Sequence, residues 1–163
     1  MRTLVAVLAL AALPFTAQAQ ESGIPVGSRA PDVELETLDG GTARLSQWIG
    51  TQPVLIEFWA SWCPNCKAME PTIEAAAERY GDRVKFIGVA VSVNQPVDRV
   101  QRYMERYNLP MTMLYDRNGD ASDAYDVPAT SYIVVIDAEG TVVYTGAGGN
   151  QNIDAAIRRA LGG

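Results

Sequence analysis

Trp59-Ala60-Ser61-Trp62-Cys63-Pro64-Asn65-Cys66 is the stretch whose reading settles the fold. Cys63 and Cys66 are the only two cysteines of the 163-residue chain. Ahead of them lies the apolar run Pro53-Val54-Leu55-Ile56-Glu57-Phe58, and behind them Met69, Ile73, Ala76, Ala77 and Tyr80 recur at helical spacing. The dithiol therefore stands where a buried strand hands over to a helix, which is the sequence form of a redox-active pair. The first turn of a helix presents unpaired N–H groups and the positive end of the macrodipole, and both favour a thiolate. Only the thiolate attacks a disulfide, so the position marks Cys63 as the nucleophile and Cys66 as the resolving thiol. Two plainer readings are weaker. A staple closing so short a loop removes little chain entropy. A structural zinc site needs four ligands, whereas the chain offers two thiols and no histidine.

Upstream, Met1-Arg2, a nearly continuous apolar run over residues 4–13 and then Ala17-Gln18-Ala19 read as an export signal with a small-x-small cleavage site. The apolar run is too short to span a bilayer, and no cysteine follows it to carry a lipid. Cleavage after Ala19 is expected, with an uncleaved membrane tether as the alternative. Residues 20–163 then form one domain with room for its own core, in the periplasm or secreted. The formal net charge of −6 argues against a nucleic-acid partner, which would need a basic surface.

Residues 33–38 alternate apolar and polar, Asp39-Gly40-Gly41 supplies a turn, and residues 42–45 return as a hairpin. Ser46 is the expected cap of a short turn carrying Trp48. Strands are expected over 53–59 and 84–91 with a helix from 63 to 80 between them, kinked at Pro71. This is a right-handed βαβ unit with parallel strands. A second helix follows Pro96, with Val97, Val100 and Tyr107 on its stripe, and leads to a strand over 110–115 and a brief helix near 121–125. Strands over 132–136 and 141–145 and a closing helix with Ile153, Ile157 and Leu161 complete an α/β fold. Its centre is a mixed sheet flanked by helices, with an N-terminal hairpin added.

These residues together resemble the thioredoxin-fold family, and within it the exported TlpA/ResA-like thiol-disulfide oxidoreductases. Glu57-Phe58-Trp59-Ala60-Ser61-Trp62-Cys63-Pro64-Asn65-Cys66-Lys67 is similar to the active-site signature. Val26-Gly27-Ser28-Arg29-Ala30-Pro31-Asp32 with its hairpin is similar to an N-terminal extension shared with peroxiredoxins. Pro71 stands at the family's helix kink, and residues 125–140 are similar to its late strand and turn. The family carries a cis-proline six residues before the aspartate of the I-D-x-x-G turn; counting back from Asp137 lands on Ser131. A cis bond without proline costs ~2.5–4 kcal/mol, so Thr130–Ser131 is expected trans. The resemblance implies that the Thr130–Ser131 loop meets the substrate chain, that Trp62 belongs to the docking surface, and that Pro64 and Asn65 tune the thiol.

Glu57 interrupts an otherwise apolar strand, which is costly for a carboxylate unless it stays neutral or finds partners. The resemblance puts it where thioredoxins hold an acid behind the second cysteine, to take or return the proton of Cys66. Lys67 is a candidate partner for it, and Glu70 reads as a solvated carboxylate on the helix face.

The resemblance thus implies an exported reductase of protein disulfides, in apocytochrome c or other exported proteins. Its electrons would come from a thiol-transporting membrane protein, and it would work as a monomer with no cofactor and no metal. A thiol peroxidase is the first alternative, but the pattern P-x-x-x-[TS]-x-x-C is absent: Ile56 and Ala60 stand at its key positions. The second is a copper-handling chaperone binding through both thiols. Met69, Met104, Met111 and Met113 could add thioethers, but their spacing reads as core.

Overall fold

The computed structural model describes residues 22–163; the expected export signal, residues 1–19, lies outside the described residues. Its centre is a strand with no exposed position, β3 (Val54–Trp59), in which all six residues are buried. Such a run forms a strand rather than an amphipathic helix because both of its faces must be covered. The face of Val54, Ile56 and Phe58 packs with Leu45, Ile87, Val89 and Val134. On the opposite face, Leu55 packs with Met69, Ile73 and Ile157, and Trp59 with Cys63, Cys66 and Val100. Each fully buried Leu, Ile or Phe contributes ~1.5–3 kcal/mol, so this strand alone anchors both halves of the core.

The remaining elements are β1 (Glu34–Thr37), β2 (Thr42–Arg44), α1 (Pro64–Tyr80), β4 (Lys85–Val91), α2 (Val97–Tyr107), β5 (Thr112–Asp116), α3 (Asp120–Ala124), β6 (Tyr132–Ile136), β7 (Val142–Ala147) and α4 (Ile153–Ala160). They build one seven-stranded sheet in the order β2-β1-β5-β4-β3-β6-β7. Strands β3, β4 and β5 are parallel, while β6 and β1 join the two sides antiparallel. Both crossovers, β3-α1-β4 and β4-α2-β5, step the same way across the sheet. Right-handedness therefore puts α1 and α2 on one face, the face that also receives α4. The mixed sheet, its flanking helices and the N-terminal hairpin are as expected, and element limits move by only one or two residues.

The short turn after β2 corrects one detail. Ser46 does not cap it with its side chain; Asp32 accepts the Ser46 N–H at 2.9 Å and two guanidinium bonds from Arg44 at 2.9 and 3.0 Å. An ionised carboxylate held by arginine outcompetes a hydroxyl for this role. Helix α1 runs through Pro71 without a break.

Candidate active site

The site lies at the C-terminal end of β3, the end at which the loops of a parallel strand carry functional groups. Cys63 leaves β3 through a tight loop in which its N–H donates to the Ala60 carbonyl at 3.0 Å. It then stands at the N-cap of α1 in extended backbone, with Pro64 at the first helical position, where a missing N–H is harmless. The Cys63 sulfur accepts the Cys66 N–H at 3.1 Å, taking the part a serine or aspartate plays at an ordinary cap. Cys63 and Cys66 are joined as a disulfide with their Cα atoms 5.3 Å apart, and both are buried. No acidic residue lies in the first turn of α1 to oppose a negative sulfur. A hydrogen bond to a charged group is worth ~1.5–3 kcal/mol, so this N–H alone lowers the energy of a Cys63 thiolate substantially.

Glu57 lies on the same face of β3 as Leu55 and Trp59. Those neighbours pack with Met69 and with the two cysteines respectively, so the carboxyl sits beneath the first turns of α1. It is 2% exposed, and its Oε1 has no hydrogen-bond partner among the described residues. Its register partners are Gly88 and Ile133. A Cβ on Gly88 would come within 2.6 Å of both the Met111 sulfur and Met113 Cε, so two thioether chains occupy the space beside the acid. Burial, with a smaller push from the charge of Glu70, raises the Glu57 carboxyl to about 8. Lys67 does not relieve it: its side chain is exposed on the outer face of α1, and it is absent from the ion pairs of the described residues. Glu70 departs from expectation as well. It is half-buried and accepts the Tyr103 hydroxyl at 2.5 Å, while the Tyr103 ring packs edge-on against Trp59 at 4.9 Å.

Two glutamines invisible as site residues in the sequence fix the loops around the disulfide. Gln95, 1% exposed, accepts the Ser61 N–H at 2.9 Å and donates to the Val91 carbonyl at 2.7 Å. It thereby ties the end of β4 to the loop that delivers Cys63. Gln151 donates to the carbonyls of Ser131 and Gly148 at 3.1 and 2.7 Å and so holds the loop before α4. That loop closes onto α1: a Cβ on Gly149 would meet Ala68 Cβ at 3.1 Å and Asn65 Oδ1 at 3.2 Å. The Gly148-Gly149 pair was the available signal for this approach.

The Thr130–Ser131 peptide is trans, and Ser131 takes a left-handed φ of +61°. Its side chain turns inward and is fully buried. The N–H donates to Phe58 O at 2.8 Å, the hydroxyl to Gly148 O at 3.2 Å, and the carbonyl accepts from the Gly148 N–H and from Gln151. Thr130, half-buried, is the member of the pair left at the surface. Pro64 is exposed, and Trp62 is 42% exposed with its indole N–H donating to Val93 O at 2.8 Å.

A cysteine pair at the N-terminus of the first helix, on this sheet order, coincides with a match of the redoxin family model to residues 25–161. The chain belongs to the redoxin family. This redoxin is 33% identical over 146 residues to the thiol-disulfide oxidoreductase ResA of Geobacillus thermodenitrificans, a match covering 87% of the chain and 83% of that protein. Among solved structures it is similar to the exposed lipoprotein thioredoxin of Streptococcus pneumoniae: TM-score 0.68, 29% identity, covering 81% and 99% of the two chains. It is also similar to a secreted disulfide oxidoreductase of Mycobacterium tuberculosis: TM-score 0.65, 28% identity, covering 80% and 95%. The redoxin is a thiol-disulfide oxidoreductase, and its chemistry is thiol-disulfide exchange.

Proposed function

We propose that this protein is an exported reductase of protein disulfides, with Cys63 as nucleophile, Cys66 as resolving thiol and Glu57 as the group that takes and returns the proton of Cys66. The observation that carries this reading is the Cys63 sulfur at the N-cap of α1, receiving the Cys66 N–H, above a buried carboxyl without a partner. In the reduced protein the Cys63 thiolate attacks one sulfur of a substrate disulfide. A mixed disulfide forms and the first substrate thiolate leaves. Glu57 then takes the proton of Cys66 through the space beneath α1. The Cys66 thiolate attacks Cys63, the Cys63–Cys66 bond closes, and the second substrate thiolate leaves. Two electrons pass from protein to substrate, and each departing thiolate takes up a proton. A dithiol donor then reverses the sequence.

A carboxyl with a raised pKa suits this task because its proton affinity is close to that of a thiol, so the proton of Cys66 can pass to the ionised carboxylate and return without a large energy gap. The residues 1–19 signal, with residues 20–163 as the single mature domain, supports placement in the periplasm or outside the cell. The names of the similar structures, one secreted and one an exposed lipoprotein, agree with it. Outside the cytosol the substrates are exported proteins such as apocytochrome c. The electrons come from a membrane thiol transporter, and the protein acts as a monomer.

The test is the redox equilibrium of Cys63–Cys66 in the mature domain. A potential near ~−270 mV is expected for a reductant, and a value near ~−120 mV would make the protein an oxidant and overturn the direction proposed. In parallel, Cys63→Ser abolishes disulfide reduction; retained turnover would remove the assigned nucleophile.

A further inference from the structure

An open groove of about 780 Å³ begins at Trp62, the residue before the nucleophile, between the first turn of α1 and the outer face of α2. Arg99, Arg102 and Arg106 recur on α2 at i, i+3 and i+7 and so form one stripe facing it, and Lys67 faces them from α1. One carboxylate, Glu105, lines the groove, and a second, Asp98, pairs with Arg102 at 2.7 Å. Four cations against those two anions stand out on a chain whose formal net charge is −6. Arg99 is held to the Asn94 carbonyl at 3.1 Å, and Arg106 lies over the Tyr107 ring at 6.0 Å, so the cations are positioned rather than free-swinging.

The rim has a second property. Trp62, Val93 and Tyr107 are three of the four most exposed large apolar side chains among the described residues. Trp62 and Tyr107 line the groove, and Val93 accepts the hydrogen bond that fixes the Trp62 indole. Aromatic side chains held in place before binding, beside arginines, are the usual anchors of a polypeptide contact.

We infer that this groove receives an acidic polypeptide segment flanking the disulfide of the substrate protein, and that it selects substrates by that charge. The inference rests on the reductase reading above, because its occupant is the chain whose disulfide Cys63 attacks. Carboxylates of the segment meet Lys67 and the arginine stripe, an apolar residue packs on Trp62, and the neighbouring disulfide is brought to Cys63. Opposite charges at the edge of a contact act mainly on encounter, so the effect belongs to the second-order rate and weakens with salt.

The test uses the reduced mature domain and three oxidants: a disulfide peptide flanked by glutamates, the same peptide flanked by lysines, and neutral bis(2-hydroxyethyl) disulfide. At low salt the acidic peptide is expected to oxidise the protein about tenfold faster than the basic one, and the ratio is expected to collapse at high salt. The double variant Arg99→Glu/Arg106→Glu, each rate normalised to that variant's rate with the neutral disulfide, is expected to invert the preference. Equal rates for the two peptides, or a preference that the double variant keeps, would overturn the groove while leaving the reductase reading intact. Failure of all three oxidants, the neutral one included, would bring down both.

Discussion

Two carboxylates in this protein are buried to the same degree, and the chain uses them in opposite ways. Asp116, at the end of β5, and Glu57, inside β3, are each 2% exposed. Asp116 accepts the N–H groups of Ala121 and Ser122 at 3.1 and 2.9 Å and the Ser122 hydroxyl at 2.7 Å, so it serves the start of α3. Glu57 is walled by Gly88, Ile133 and the methionines above Gly88, and its Oε1 meets no donor. Burial alone therefore does not fix the state of an acid. The supply of donors decides whether a buried carboxylate fastens a fold or holds a proton.

The largest effect should come from breaking the fastened member. Asp116→Ala strands two backbone N–H groups and a hydroxyl at the start of α3, and is expected to lower unfolding free energy by roughly 3 kcal/mol. Chemical denaturation measures this, and the Cys63–Cys66 potential should stay as in the parent protein. A loss below about 1 kcal/mol would mean that these bonds are replaced by water at little expense.

Removing the other acid should do the reverse. The Glu57 carboxyl, raised to about 8 when folded, binds its proton more tightly there than in the unfolded chain, where 4.5 is ordinary. Stability from this group is therefore complete below about pH 4.5 and declines as the pH rises towards 8, where the unfolded chain has released the proton and the folded one is only beginning to. Glu57→Gln should flatten that decline and gain about 2 kcal/mol at pH 8, less than the full ionisation penalty because the amide is itself a buried polar group. The same variant should slow release of the mixed disulfide and remove a step from its pH profile. A profile unchanged from the parent would deny Glu57 its proton-carrying part.

The difference between these acids also explains how much could be read from the sequence. A charged residue inside Val54-Leu55-Ile56-Glu57-Phe58-Trp59 is visible at once, because its neighbours declare the strand buried. Likewise the apolar run, the C-x-x-C pair and the helical stripe after it gave the βαβ unit, since each signal is local. Gln95, Gln151, Tyr103 and Asp116 were not legible as a group. Gln95 reaches Ser61 across 34 residues of chain and Tyr103 reaches Glu70 across 33, so only the sheet order brings them together. Ser131 shows the intermediate case: its trans peptide followed from the cost of a cis bond, whereas its inward hydroxyl depends on the Gly148 carbonyl, which lies 17 residues further on and is brought alongside by the pairing of β6 with β7.

The smallest prediction separates the two causes acting on Glu57 itself. Its raised pKa has burial as the first cause and the charge of Glu70 as the second. Glu70 is held in place by the Tyr103 hydroxyl, so its charge acts from a fixed position. Glu70→Gln removes that charge and leaves the wall of Gly88, Ile133 and the methionines untouched. The Glu57 titration midpoint, followed by carboxyl-carbon NMR, should fall by less than about one pH unit, and stability at pH 8 should rise by under about 1.4 kcal/mol. A fall of two units or more would make Glu57 one half of an electrostatically coupled pair, and the contrast with Asp116 would then turn on a neighbouring charge instead of on missing donors. A small fall keeps the contrast where the geometry puts it, in a strand whose backbone is fully paired and whose one carboxyl has been left without a donor.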